Sequence, residues 1–403
     1  MKGLLILVFG LLFLQSCEKY TLTGLYRSQV LYNAGKERGA ASGNTEAQIT
    51  DTSVYVAAVI VPKEYDWRRD SLYGAVPCEL QLLKNGIPQF SMHTGALASS
   101  SADTHHLLDG HLYTEYANSE GTVICCDGKE LFRYPQREML KGLLVKGEDV
   151  YTLGRPLDGT GFCYRCNGEI VLRQDAGELF GDFSDLAYGR TGALYDSGSG
   201  VCFCFKSSSA CYSVLNGEMS QVSTSVSSFR VKDMRLYGKS VCYVADYSTA
   251  TMIFTPLRAY TLPTDVNWQS ASLFSRNGEL WFVADSPLKA VCRPVMQMGN
   301  ELAGASFLGE DNFVYEGSSK FYSASCGGGT FTLRDNRGEI LYIRDSTCFF
   351  GRQNVCCAED EVYALLNPRE RDRRPFVWHG GKKEEYDING YLTAIEVVFS
   401  PPN

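Results

Sequence analysis

The chain has 403 residues, of which 44% are apolar, 12% aromatic and 21% charged. That excludes a disordered protein, which lacks apolar side chains to bury, and a multi-span membrane protein, whose apolar runs are longer. With 38 basic against 46 acidic side chains the formal charge is -8. No basic stripe is present to neutralise phosphates, so nucleic acid is excluded as the main partner.

The N-terminus reads as an export signal. Met1-Lys2 precedes an uncharged run from Leu4 to Leu14, too short for a bilayer core and right for the apolar region of a signal peptide. It ends in Leu14-Gln15-Ser16-Cys17, which resembles the bacterial lipobox, where a small residue precedes a cysteine that becomes diacylated. The expected organisation is a lipoprotein signal peptide over 1–16, a lipidated tether over 17–50 and a folded body over 51–403. Acyl chains at Cys17 would hang that body from a membrane of the bacterial envelope, each buried CH2 contributing roughly 0.8 kcal/mol. The outer membrane is the expected one. Glu18-Lys19-Tyr20 carries a single acid, which leaves the periplasmic and surface faces both open.

Fourteen cysteines follow Cys17: Cys78, Cys125, Cys126, Cys163, Cys166, Cys202, Cys204, Cys211, Cys242, Cys292, Cys326, Cys348, Cys356 and Cys357. Outside the cytoplasm an even number permits disulfides. The pairs Cys125-Cys126, Cys356-Cys357 and Cys202-Phe203-Cys204 nevertheless sit in apolar, strand-like runs, where adjacent residues point to opposite faces. Small buried hydrophobes are the favoured reading, ahead of disulfides and, last, of a metal or redox site.

The body repeats. Aromatic anchors stand at Tyr55, Tyr113, Tyr151, Tyr195, Tyr243, Trp281, Tyr322 and Tyr363, with a mean interval of 44 residues. Turn signals precede most of them, such as Asp109-Gly110 and Gly147-Glu148. Others follow: Asn85-Gly86, Asp127-Gly128, Asn167-Gly168, Asn216-Gly217 and Gly380-Gly381. Asn-Gly and Asp-Gly favour the positive φ angles of two-residue hairpins. Four short strands per period, with almost no helical periodicity, predict an all-β chain folded as a β-propeller. A β-sandwich array needs about 100 residues per unit and has no such period. Eight anchors predict eight four-stranded blades, or seven if an irregular unit is an insertion; around Tyr195 the assignment of apolar runs to strands stays open. Upstream of Tyr55 the chain is polar, whereas Leu392 to Phe399 is a strand without a unit of its own. That C-terminal strand is expected to complete the first blade and close the ring.

Val54-Tyr55-Val56-Ala57-Ala58, followed by Leu82-Leu83-Lys84-Asn85-Gly86, resembles the blade pattern of β-propeller lipoproteins from Bacteroides-type bacteria. In that family a "VYVAG" strand is followed by a "WKNG" hairpin. Ala58 and Leu83 depart from it. The resemblance implies the fold and the compartment, and no activity.

Chemical motifs are scarce. No serine elbow, HExxH or phosphate loop is present. Of five histidines four lie close together, His93, His105, His106 and His111, with Asp103 and Asp109 among them. A metal could use His105, His111 and Asp109, but a polar lead-in to the second blade explains them as well, and the expectation is no metal and no cofactor. Asp182, Asp185, Asp233 and Asp311 could serve a carbohydrate-active hydrolase or lyase, which needs converging acids; spacing names no catalytic residue. Binding is therefore favoured over catalysis. The expected patch joins two loops, Glu64 to Asp70 and Arg369 to Arg374. Trp67 would offer a platform for a sugar ring, and Arg68, Arg69, Arg371, Arg373 and Arg374 would take carboxylate or sulfate groups of an acidic glycan. An envelope protein is the other expected partner, and a salt-bridge network stiffening both loops the plainer reading of these charges.

Overall fold

In the computed structural model, residues 51–400 are described apart from 69–76, 96–104, 119, 158–160, 176–193, 198, 207–210, 224–229, 238–239, 248–249, 256–258, 263–269, 277–278, 286–289, 295–311, 317–320, 328–329, 336–339, 345–346, 348–351, 359 and 371. The expected signal peptide and tether lie outside them. Among the described residues every paired strand is antiparallel, in seven four-stranded sheets and one three-stranded sheet. Seven of the eight follow chain order. The second runs His105–Leu108, His111–Asn118, Gly121–Cys126, Lys129–Tyr134, and the third Glu138–Lys146, Asp149–Pro156, Gly161–Cys166, Glu169–Asp175. In the sixth, the described strands are Ser270–Arg276, Glu279–Asp285 and Ala290–Pro294.

The first sheet is the exception to chain order. Asp51–Ile60, Pro77–Lys84 and Ile87–Gly95 are its second, third and fourth strands, and its first is Gly390–Ser400. The two termini of the folded body pair from Asp51↔Ser400 to Ile60↔Gly390. Alternation along a strand then joins sheets. Val56 and Ala58 pack with Leu365 and Val377 of the eighth sheet, whereas Ala57 and Val59 pack with Leu107 and Leu112 of the second. The first sheet thus lies between the eighth and the second. Both its faces are buried, which is why Val54 to Val61 is continuously apolar.

One hairpin device sets the period. Asn85, Asp127, Asn167 and Asn216 have φ near +50, and the glycine after each also has positive φ. Every one of these side chains accepts, through Oδ1, a backbone N–H of its sheet's second strand, from the residue just before pairing with the third strand begins: Val54 at 2.8 Å, Leu112 at 2.9 Å, Val150 at 2.9 Å and Val201 at 3.0 Å. In return the N–H of each turn residue donates to the carbonyl of the same partner. The side chain thereby extends the ladder by one rung and pairs a donor that the third strand does not reach.

The residue after that partner is the aromatic anchor, Tyr55, Tyr113 or Tyr151. In the fourth sheet it is Cys202, not Tyr195. Tyr195–Asp196 is instead that sheet's short first strand, and the Tyr195 hydroxyl lies 3.2 Å from Cys202 Sγ in a buried cluster with Cys204 and Met234. Cys125, Cys126, Cys163, Cys166, Cys202, Cys204, Cys242 and Cys356 are free thiols, mostly buried.

The turn glycines also touch the neighbouring sheet. A Cβ at Gly128 would lie 2.4 Å from the Phe90 ring, and one at Gly217 would lie 2.4 Å from Val171. Gly128→Ala should therefore cost about 1–3 kcal/mol, from overpacking added to backbone strain. Gly147→Ala also has positive φ but meets nothing within 4 Å, so it isolates the strain. Equal losses for the two, in denaturant titrations, would mean that the Phe90 contact is unimportant.

Candidate functional site

Closure of the first sheet brings its loop 61–68 against the loop 367–375 of the eighth. Asn389, just before the closing strand, donates to the carbonyls of Val61 at 3.1 Å and Pro62 at 2.7 Å. Asn367 clasps the same strand, donating to Leu392 O and accepting from Leu392 N, both at 2.8 Å. Arg68 spans the junction. Its Nε donates to Pro368 O at 3.0 Å and its Nη2 to Arg373 O at 2.6 Å, while its guanidinium covers the Trp67 ring at 4.1 Å.

The two expected loops do meet, yet their residues divide. Trp67 is 3% exposed and packs on Tyr391 with ring centroids 5.6 Å apart. With Arg68 on one face and the first-sheet core around it, the indole offers no open face to a sugar. Arg68 acts as a strut between the loops. Arg69 and Arg371 lie outside the described residues, and Arg373 is half-buried. What remains open is a mixed rim: Arg369, Glu370, Asp372 and Arg374 are exposed, with Arg374 3.2 Å from Asp387. Guanidinium forks of this kind can pair with carboxylate or sulfate groups, and here the acids beside them already offer such partners.

The histidines separate too. His105 and His106 are buried in the first strand of the second sheet, and His105 Nε2 meets Thr393 Oγ1 of the closing strand at 2.7 Å. Burial, with His105 alongside, pushes His106 down to about 3, so it is neutral at physiological pH. His93 is exposed near Glu79. The N–H groups of Asp109 and Gly110 hold the buried carboxylate of Glu396 at 2.9 and 2.8 Å. His111 turns to Asp127 instead, with Nδ1 2.7 Å from Oδ2. The trio His105, His111 and Asp109 is therefore not gathered as a ligand set. Of the candidate acids, Asp182, Asp185 and Asp311 lie outside the described residues, and Asp233 falls in strand Arg230–Tyr237.

No protein-family model matches the chain, and no curated protein matches it. Solved structures do. Apo AztD from Citrobacter koseri is 9% identical over 87% of this chain and 99% of that one, with a TM-score of 0.50. Dihydro-heme d1 dehydrogenase NirN in complex with DHE is 10% identical over 85% of this chain and 74% of its own, with a TM-score of 0.47. Porphyromonas gingivalis dipeptidyl peptidase 4 is 12% identical over 72% and 53%, with a TM-score of 0.44. At such identities the likeness concerns the fold alone. Consecutive antiparallel sheets, most of them seen packed on the next, together with the AztD match, define a β-propeller. Among the described residues no helix is long and apolar enough to cross a membrane.

Proposed function

We propose that the chain is a lipid-anchored binding protein of the bacterial envelope, an eight-bladed propeller closed by its C-terminal strand. The observation that carries this reading is the bracing of loops 61–68 and 367–375 by Arg68, Asn367 and Asn389. It supports closure, and it gives a rigid base to the exposed arginines beside it. A stiff rim binds without the ordering cost that a loose loop incurs. Two further facts favour eight blades. The eight sheets include one that joins the ends of the body, and the glycine contacts between neighbouring sheets run from the eighth to the first as they do from first to second. The ligand class is a carboxylated or sulfated polysaccharide, engaged by Arg369 and Arg374 with Arg371 between them in sequence.

Anchor and ligand are tested separately. Cys17→Ser should move the protein from membrane to soluble fractions and abolish fatty-acid labelling; unchanged labelling would remove the anchor. Polygalacturonate and dextran sulfate should bind in a salt-sensitive manner. Joint replacement of Arg369, Arg371 and Arg374 by Ala should weaken binding at least about tenfold, or roughly 1.4 kcal/mol. Equal binding by that variant, or no binding by either polymer, would reject the ligand class.

A further inference from the structure

At one end of the second sheet three different donor atoms converge. His111 opens the strand His111–Asn118, Cys126 ends the strand Gly121–Cys126, and Asp127 begins the hairpin that follows. The register puts Cys126 opposite Tyr113 and so brings Asp127 beside His111 and Leu112. One nitrogen, one sulfur and one carboxylate oxygen from His111, Cys126 and Asp127 all lie within 4.8 Å of one another.

Comparison among the protein's own hairpins shows what is unusual here. The turn residue supplies an oxygen to the N–H of the residue across from it in the second strand, and Asn85, Asn167 and Asn216 do this with a neutral amide. Asp127 does the same through Oδ1. Its carboxylate adds a negative charge that the turn does not need, and its second oxygen faces His111. The place of Cys126 is taken by Lys84, Cys166 and Leu215 in the other three sheets, and that of His111 by Ser53, Asp149 and Gly200. Among these four hairpins the second alone assembles imidazole, thiol and carboxylate. The third comes nearest, but there the amide of Asn167 donates to Asp149 at 2.7 Å, a pair already satisfied without an ion.

We propose that His111, Cys126 and Asp127 bind one divalent transition-metal ion of the zinc class, with a fourth position open to solvent. Imidazole nitrogen, thiolate sulfur and carboxylate oxygen form a donor set suited to a borderline-soft ion at about 2.0–2.3 Å. Binding displaces the Cys126 thiol proton to solvent as the sulfur–metal bond forms. In a tetrahedron the imidazole and carboxylate donors sit about 3.3 Å apart, so their present 2.7 Å contact opens by roughly half an ångström. The His111 side chain, 56% exposed, is free to make that swing. The Tyr113 phenol lies within hydrogen-bonding reach of Cys126 and would donate to the thiolate, an outer partner of the kind that steadies metal ligands. Lys129 is the nearby cation; it is exposed, and its flexible stem can carry the ammonium away.

Cobalt(II) is the probe. Titrated into the full chain under reducing conditions, it should give a sulfur-to-cobalt charge-transfer band and visible bands of four-coordinate cobalt, saturating at one ion per chain and erased by zinc. Cys126→Ser should abolish the charge-transfer band, while Cys166→Ser, the matching position in the third sheet, should leave it. Asp127→Asn keeps the turn's backbone cap, as the three asparagines do. It should therefore retain the metal-free melting temperature yet lose affinity by more than the 10–100-fold that an outer-shell change costs. Absence of the band at saturating cobalt, its survival in Cys126→Ser, or unchanged affinity in Asp127→Asn would each overturn the proposal.

Discussion

Deleting Tyr391 to Asn403 is expected to abolish the native state. The lost strand supplies Leu392, Ala394, Ile395 and Val397, all buried between the first sheet and its neighbours. Leu392→Ala alone should cost about 2–5 kcal/mol, a large part of a typical stability of about 5–15 kcal/mol. The deletion also orphans the Asp109 and Gly110 N–H groups that Glu396 accepts from, and the Asn367 side chain that brackets Leu392. Finally it uncovers the edge of Asp51–Ile60, a buried apolar strand with every motive to pair elsewhere. Aggregation and loss of a cooperative melting transition are the expected readouts. A soluble truncated chain with the parent's melting temperature would show that the strand is dispensable.

A comparable loss is expected within the third sheet. Glu138, 2% exposed, and Arg165, 3% exposed, form a bidentate ion pair with both N···O distances at 2.6 Å. They belong to the first and third strands, so their side chains must cross the second. Gly154 makes the crossing possible: a Cβ there would lie 2.2 Å from Glu138 Oε2. Arg165 also stacks on Tyr134 at 4.0 Å. Removing one partner leaves a buried charge uncompensated, so Glu138→Ala should cost about 3–5 kcal/mol. That corresponds to a fall in melting temperature on the order of 5–15 °C. Gly154→Ala should approach the same loss by forcing the carboxylate aside. Replacing both ions by apolar residues, as in Glu138→Leu with Arg165→Met, should recover much of it, since desolvating the pair is itself costly. A double variant no better than Glu138→Ala would mean that the sheet needs the ions themselves.

The hairpins were legible in the sequence because their chemistry is local. Asn-Gly and Asp-Gly meet a backbone demand that few other dipeptides meet, and five of these turns, Asp109-Gly110 among them, adopt it as expected. Tyr55, Tyr113 and Tyr151 were legible as anchors because each stands opposite the last residue before such a turn. Where that position holds Cys202, the rule of aromatic spacing fastened on Tyr195, which belongs to the strand before. Trp67 was harder. Flanked by charges, it reads as a surface residue, and only the fold of its loop onto Tyr391 buries it. The meeting of His111 with Cys126 and Asp127 depends on strand register, which spacing along the chain does not reveal. A signal was present all the same: an aspartate stands where three sister hairpins carry asparagine.

The pairing of Asp51–Ile60 with Gly390–Ser400 also dictates a schedule. Some 330 residues separate the end of one strand from the start of the other. At roughly 5–20 residues per second, a ribosome needs roughly 15–70 s to make that interval. Throughout it the first sheet has no first strand. The sheet cannot be completed until Gly390–Ser400 has emerged, and a chain held open in this way stays threadable for the whole of that interval.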